Sequence, residues 1–167
     1  MSFSLLPTLR ADALTDVKPD IFWERGIRLV MLDFDNTIVP YTTDEPTPLM
    51  AAWLTWVKDA GLYVCVVSNS KRDRVQIFCK KYGLDCITHA KKPSGKGIRQ
   101  CLEKYGVKPQ EAVLIGDQIY TDTLGANGCG VQSILVKAID NHNFWLKLRH
   151  VAEMPFIFLA RKRRIYP

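Results

Sequence analysis

No stretch of this sequence stays apolar for the roughly 20 residues that a helix needs to cross a bilayer, which argues against a membrane bundle. Paired cysteines are also missing. The five present, Cys65, Cys79, Cys86, Cys101 and Cys129, are odd in number, scattered, and never spaced Cys-x-x-Cys. That pattern indicates neither a zinc site nor a disulfide framework. Most lie inside apolar patterns, where cysteine acts as a small hydrophobe, and a reducing, cytoplasmic compartment is expected. Internal repeats and low-complexity linkers are absent. Residues 1–10 have no basic region leading into a long apolar stretch, so a secretory signal is not expected. Asp12 and Asp16 count against an organelle-targeting segment.

What is present is ordinary for a globular chain. The 167 residues, 47% hydrophobic and 24% charged, suit one domain with a real core and exclude general disorder. The net charge of +6 favours contact with polyanions, whether phosphate substrates, anionic lipid or RNA. Part of that charge sits in Arg161, Lys162, Arg163 and Arg164, which weakens it as a sign of the active site.

Apolar runs at residues 27–32, 62–67, 86–88, 112–115 and 132–136 read as buried strands. Helix patterns lie between them at 48–60, 71–82, 97–105 and from 121 to 127. Thr47 and Pro48 open the first helix, and Gly61, Gly83 and Gly106 follow the first three. Strands alternating with helices imply right-handed crossovers and an α/β fold, a Rossmann-like three-layer sandwich around a parallel sheet. Residues 26–150 form the expected core, 1–25 an extension packing on it, and 151–167 an apolar segment and basic tail.

Parallel sheets bind ligands at the carboxyl ends of their strands, so the polar residues after each strand are the place to look. After the first run comes Asp33-Phe34-Asp35-Asn36-Thr37. Two carboxylates at i, i+2 beyond an apolar strand call for a bound cation or solvent, although an Asx-rich turn explains a lone Asp-x-Asp equally well. The second run ends in Ser68-Asn69-Ser70, able to hold phosphate oxygens or, with Ser70, to cap the next helix. Lys92, followed by Pro93, can set a point charge on a phosphate, where a solvated basic turn is the plainer reading. Gly116-Asp117 ends the fourth run, and Asp122 lies at the start of the helix after it. Each piece alone has a bland explanation; four in order, each at the end of an expected parallel strand, do not.

Together these residues resemble the four motifs of the haloacid dehalogenase (HAD) superfamily, covering Asp33 to Asp122 without departure. More narrowly, Gly26-Ile27, Asp33 to Thr37, Lys92-Pro93 and Gly116 to Asp122 resemble the YqeG-like phosphatases of HAD subfamily IIIA, a group similar to phosphatidylglycerophosphate phosphatases. The resemblance implies a HAD-like core and hydrolysis of a phosphomonoester through an aspartyl-phosphate on Asp33. It implies Mg²⁺ held by Asp33, Asp117 and the backbone carbonyl of Asp35, an all-oxygen set that suits this ion. Asp35 would exchange the proton of the leaving group and of water, while Ser68, Asn69 and Lys92 clamp the phosphate. Thr37, Gly116 and Asp122 would support the site, Asp122 by orienting Lys92 or a water.

The intervals 38–67 and 69–91 each have room for one helix and one strand, so no cap domain fits. By resemblance, a cap-less enzyme takes a large substrate, a lipid headgroup at a surface, or a lid from an oligomer partner. Phe144, Trp145 and residues 154–159, followed by the basic cluster, suit the anionic inner face of a membrane. The plainer reading packs the apolar part on the sheet and leaves the basic end in solvent. A soluble sugar phosphate or nucleotide substrate keeps the same chemistry. A nucleic-acid or ribosome-associated binding module fits the charge, but no aromatic-basic RNA signature accompanies it.

Overall fold

The computed structural model describes residues 4–71, 73–140 and 144–165. The side chains of residues 144–150, Phe144 and Trp145 among them, lie outside that description. Six strands form one sheet: β1 (Leu9–Arg10), β2 (Leu29–Leu32), β3 (Tyr63–Val67), β4 (Asp85–Ile87), β5 (Ala112–Gly116) and β6 (Gln132–Leu135). Their order is β1-β6-β5-β2-β3-β4, with every neighbouring pair parallel. The chain builds β2, β3 and β4 outward, then returns to the other side of β2 for β5 and β6. That reversal puts the carboxyl end of β2 at a topological switch point, where open α/β sheets bind ligands.

The strands are buried on both faces, as parallel strands must be when helices cover them. Val30 and Leu32 face one layer with Val64, Val66, Val113 and Ile115, against Trp53, Leu54 and Val57 of α2 (Pro48–Asp59) and Val75 and Phe78 of α3 (Arg74–Tyr82). Leu29 and Met31 face the other with Cys65, Val67 and Leu114, against Ile98, Cys101 and Leu102 of α4 (Lys96–Tyr105) and Ala126 of α5 (Leu124–Gly128). The period-2 alternation within a single four-residue strand therefore feeds two separate cores.

Local signals placed most boundaries. Thr47 caps α2 by accepting the Met50 amide, with Pro48 in the first turn. Gly83 closes α3 in the left-handed conformation that glycine adopts without strain. Ser70, however, does not cap α3. The helix begins at Arg74 with Asp73 before it, because Ser70 belongs to the turn after β3 and its amide donates to Ser68 Oγ at 3.0 Å.

Both ends of the chain join this core. The short α1 (Pro19–Glu24) buries Phe22, and the Trp53 indole donates to Val17 O at 2.7 Å. The basic end is not a free tail in solvent. Arg164 bridges in parallel to Arg10 of β1 and pairs with Asp12, Arg163 donates to Pro7 O at 2.6 Å, and Ile165 packs on the core. A terminal segment thus covers the β1 edge, which would otherwise offer unpaired backbone groups. The last helix, α6 (Phe144–Leu159), runs through the division expected between residues 150 and 151. Among the described residues, no helix is long and apolar enough to cross a membrane.

Candidate active site

Asp33 is the first residue after β2, and its amide continues the sheet by donating to Ile115 O at 2.9 Å. Its side chain is buried where the two central strands end. The turn beyond it is made by Asn36, which adopts a left-handed φ of 62°, a conformation asparagine tolerates better than most residues. Asn36 also donates to Asp140 O at 2.6 Å, tying this turn to the segment after β6. Thr37 is buried beside it, with its hydroxyl 3.5 Å from Asp33 Oδ2.

Lys92 reaches the same point from the loop after β4. Its ammonium lies 2.5 Å from Asp33 Oδ1 and 2.7 Å from Asp122 Oδ1, and its side chain is 1% exposed. The loop that delivers it is held by Asn69, whose amide accepts the Lys92 N–H at 2.7 Å and donates to Lys92 O at 3.0 Å. Asn69 thus uses both ends of its amide to fix the Lys92 backbone. His89 and Lys91 in this loop have φ of 53° and 54°, strain of the kind that persists where surrounding structure over-determines a functional loop.

The acidic partners come from β5. Asp117 follows Gly116 at the strand end, and Asp122 lies in a π-helical turn, Ile119–Thr123, a form common at functional sites. Asp33, Asp117 and Asp122 are all buried, with carboxylate oxygens within 4.8 Å of one another. The third carboxylate of this cluster is that of Asp122. Burial pushes Asp33 up to about 7 against the pull of the Lys92 ammonium, with Asp122 and Asp35 adding to the rise. Burial alone would lower Lys92, but the Asp122 and Asp33 carboxylates overcome it and hold the ammonium charged. Three buried carboxylates facing one lysine leave an excess of negative charge, and a small dication with oxygen preference fits that donor set.

A profile of haloacid dehalogenase-like hydrolases matches residues 10–130. Over 120 residues the chain is 35% identical to "Probable phosphatase YqeG" of Bacillus subtilis, spanning 72% of this chain and 70% of that protein. The chain belongs to the haloacid dehalogenase-like hydrolases. Its fold is similar to that of the cobalt-bound deoxy-D-mannose-octulosonate 8-phosphate phosphatase of Haemophilus influenzae (TM-score 0.54, 15% identity, 83% of this chain and 92% of that one). The corresponding phosphatase of Moraxella catarrhalis, solved with magnesium, phosphate and KDO, gives a TM-score of 0.50 at 15% identity, over 84% of this chain and 97% of that one.

In this HAD-type phosphatase Asp33, Lys92, Gly116, Asp117 and Asp122 meet in one place, and Ser68 follows β3 at the same end of the sheet. Ser68 is buried and its hydroxyl accepts the Ser70 amide. Gly116 is required by close approach: a Cβ there would overlap the Asp122 carboxyl group, whose own Cβ is 2.7 Å away. Gly116→Ala should displace Asp122 from Lys92. Thermal melts and aryl-phosphate assays should find the variant folded, destabilised by roughly 1–3 kcal/mol, and slowed roughly 10–100-fold. Parent-like rates would show that the Asp122–Lys92 pair does not matter.

Two residues that brace the surroundings of the site escaped the sequence reading. Arg74 of α3 sits 3.2 Å from Asp35 Oδ1, with its Nε 2.7 Å from Asp44 Oδ1 and Nη2 donating to Thr43 O at 2.7 Å. Its guanidinium lies over the Phe34 ring, 5.1 Å from the centroid. This planar fork locks the loop after Val39 to α3 and holds the Asp35 carboxylate beside Asp33. Glu153 of α6 is the other, buried to 2% exposure far along the chain. No spacing rule links either residue to the motifs.

Proposed function

We propose that this phosphatase hydrolyses a phosphomonoester through a phosphorylated Asp33, with Mg²⁺ as the bound ion and a phospholipid headgroup phosphate, phosphatidylglycerophosphate foremost, as substrate. The observation that carries the chemistry is the convergence of Asp33, Asp117, Asp122 and Lys92 at one point of the sheet, with Asp35 beside it. Asp33 and Asp117 would hold the ion, with the Asp35 carbonyl. Bound there, it supplies positive charge that offsets the repulsion between a phosphate dianion and a carboxylate. Magnesium and phosphate occur together in the M. catarrhalis phosphatase of similar fold.

Asp33 then attacks phosphorus, the phosphorus–oxygen ester bond breaks, and Asp35 gives its proton to the leaving alkoxide. In the second half Asp35 takes a proton from water as that water attacks the phosphoaspartate, releasing phosphate and restoring Asp33. Lys92 would stabilise both Asp33 before attack and the phosphoryl oxygens during it. Asp122, 2.7 Å from the ammonium, orients Lys92.

Support for a substrate at a surface comes from two features. The described residues between Thr37 and Ser68, and between Ser68 and Lys92, hold one helix and one strand each, with no cap over the site. On α6, Val151, Met154, Phe158 and Leu159 are exposed apolar residues, and exposed Arg161 and Lys162 follow them. Apolar side chains beside cations suit an anionic bilayer.

The test is phosphate release, with and without Mg²⁺, from phosphatidylglycerophosphate vesicles, sugar phosphates, nucleotides and an aryl phosphate. The lipid should be preferred. Release from a sugar phosphate or nucleotide alone overturns the substrate, and no release from any of them overturns the chemistry. Asp35→Asn should slow alkyl phosphates by roughly 10²–10⁴-fold and the aryl phosphate much less, since an aryl oxide departs with little help from an acid. Equal losses on both would assign Asp35 to holding the fold.

A further inference from the structure

The turn that presents Asp117 opens with two amides that carboxylates serve, one part-buried at Gln118 and one buried at Ile119. Asp122 accepts the first, Gln118 N to Asp122 Oδ2 at 3.2 Å. The second is met from outside the turn: Ile119 N donates to Glu153 Oε1 at 2.9 Å. Ile119 is fully buried and Glu153 nearly so, so no bulk water competes for this bond. Glu153 lies on α6, beyond residues 10–130 where the family profile matches. The helix is seated there by two further contacts. The Tyr120 hydroxyl donates to Ala152 O at 3.2 Å, and the Tyr120 and Phe156 rings meet edge to face at 6.3 Å.

A glutamate buried to this degree is costly unless its oxygens are used. Here one oxygen accepts the Ile119 amide. A carboxylate also suits the amide-rich start of a helical turn electrostatically. Because Asp117, Gln118 and Ile119 are consecutive, the position of Ile119 N limits where the Asp117 carboxylate can point. Outer contacts of this kind orient the groups that hold an ion.

We infer that Glu153 is a positioning residue: the C-terminal helix lends its carboxylate to the catalytic turn and thereby sets Asp117 for metal binding. This rests on the reading of Asp117 as a metal ligand. The helix outside the shared family core thus lends a side chain to the working site.

The experiment uses the full-length protein with Glu153→Gln and Glu153→Asp. Glutamine keeps an acceptor oxygen at the same reach, whereas aspartate keeps the charge but falls one methylene short of Ile119 N. Mn²⁺ binding is measured by electron paramagnetic resonance, with melting temperature and amide exchange at Ile119 alongside. Glu153→Gln should bind Mn²⁺ within about twofold of the parent and keep Ile119 protected. Glu153→Asp should bind roughly 10–100-fold more weakly, with Ile119 exchanging faster. Parent-like binding by Glu153→Asp overturns the inference alone, as does a Glu153→Gln variant that loses binding while remaining folded. If the parent itself binds no Mn²⁺, the metal reading of Asp33 and Asp117 fails, and the inference fails with it.

Discussion

Asp33→Asn should lower turnover by on the order of 10⁴-fold or more while making the metal-free protein more stable at neutral pH. The amide is nearly isosteric but is a poor nucleophile and a poor metal ligand. The stability gain follows from burial, which raises Asp33 from 3.8 to about 7. A carboxyl group raised in the folded state contributes stability that is complete below its unfolded value. That contribution disappears as pH rises through about 7, because the folded protein must then hold a buried charge. In chelator the parent should therefore lose stability between about pH 4 and pH 7, by on the order of a few kcal/mol. The Asp33→Asn variant should not, since its Lys92 still pairs with Asp122. Urea unfolding at pH 5 and pH 8, with chelator and then with Mg²⁺, tests this. Mg²⁺ should restore the parent at pH 8 and do little for the variant. Turnover near the parent's removes the phosphoaspartate, and equal pH slopes in chelator remove the account of Asp33 burial.

Lys92→Met should be the most damaging single change to the metal-free fold. The Lys92 ammonium joins Asp33 and Asp122 at 2.5 and 2.7 Å, and all three side chains are buried. Breaking a buried pair by removing one partner leaves the other charges uncompensated, at a cost of roughly 3–5 kcal/mol. For a chain of this size that lowers the melting temperature by roughly 6–20 °C. The loss should be smaller at low pH, where the carboxylates can take up protons, and Mg²⁺ should recover part of it. Hydrolysis should still fall by roughly 10²–10³-fold with Mg²⁺ present, because the transition state loses its fixed cation. A melting temperature unchanged at pH 8 would mean that the three-carboxylate cluster is relieved by some other group.

Phosphatase chemistry and stability conflict at this site. Three buried carboxylates meet at the ends of β2 and β5, where they would serve the proposed catalysis but cost stability unless Lys92 and a bound cation offset their charge. The same conflict explains the supporting bonds to backbone. Asn69 fixes the Lys92 loop, Asn36 fixes the turn after Asp33, and Glu153 fixes the turn after Asp117. Each removes freedom from a loop that would otherwise separate like charges.

The sequence by itself determined the strand and helix alternation, and with it the parallel sheet, because apolar periodicity and Thr47, Pro48 and Gly83 act over a few neighbouring residues. It also determined which strand ends carry Asp33, Ser68, Lys92 and Asp117, since a parallel sheet puts every such end on one side. The tertiary structure decided what those residues do to one another. It showed the Asn69 amide on the Lys92 backbone, the Asp122 carboxylate with those of Asp33 and Asp117, and the Asp35 carboxylate against Arg74. The Arg163 and Arg164 contacts span more than 150 residues to Pro7 and Asp12, and Glu153 reaches Ile119 across 34. Local spacing carries no information about such pairs. They form only when separate elements dock, and a buried charge or amide there must find its partner or destabilise the fold.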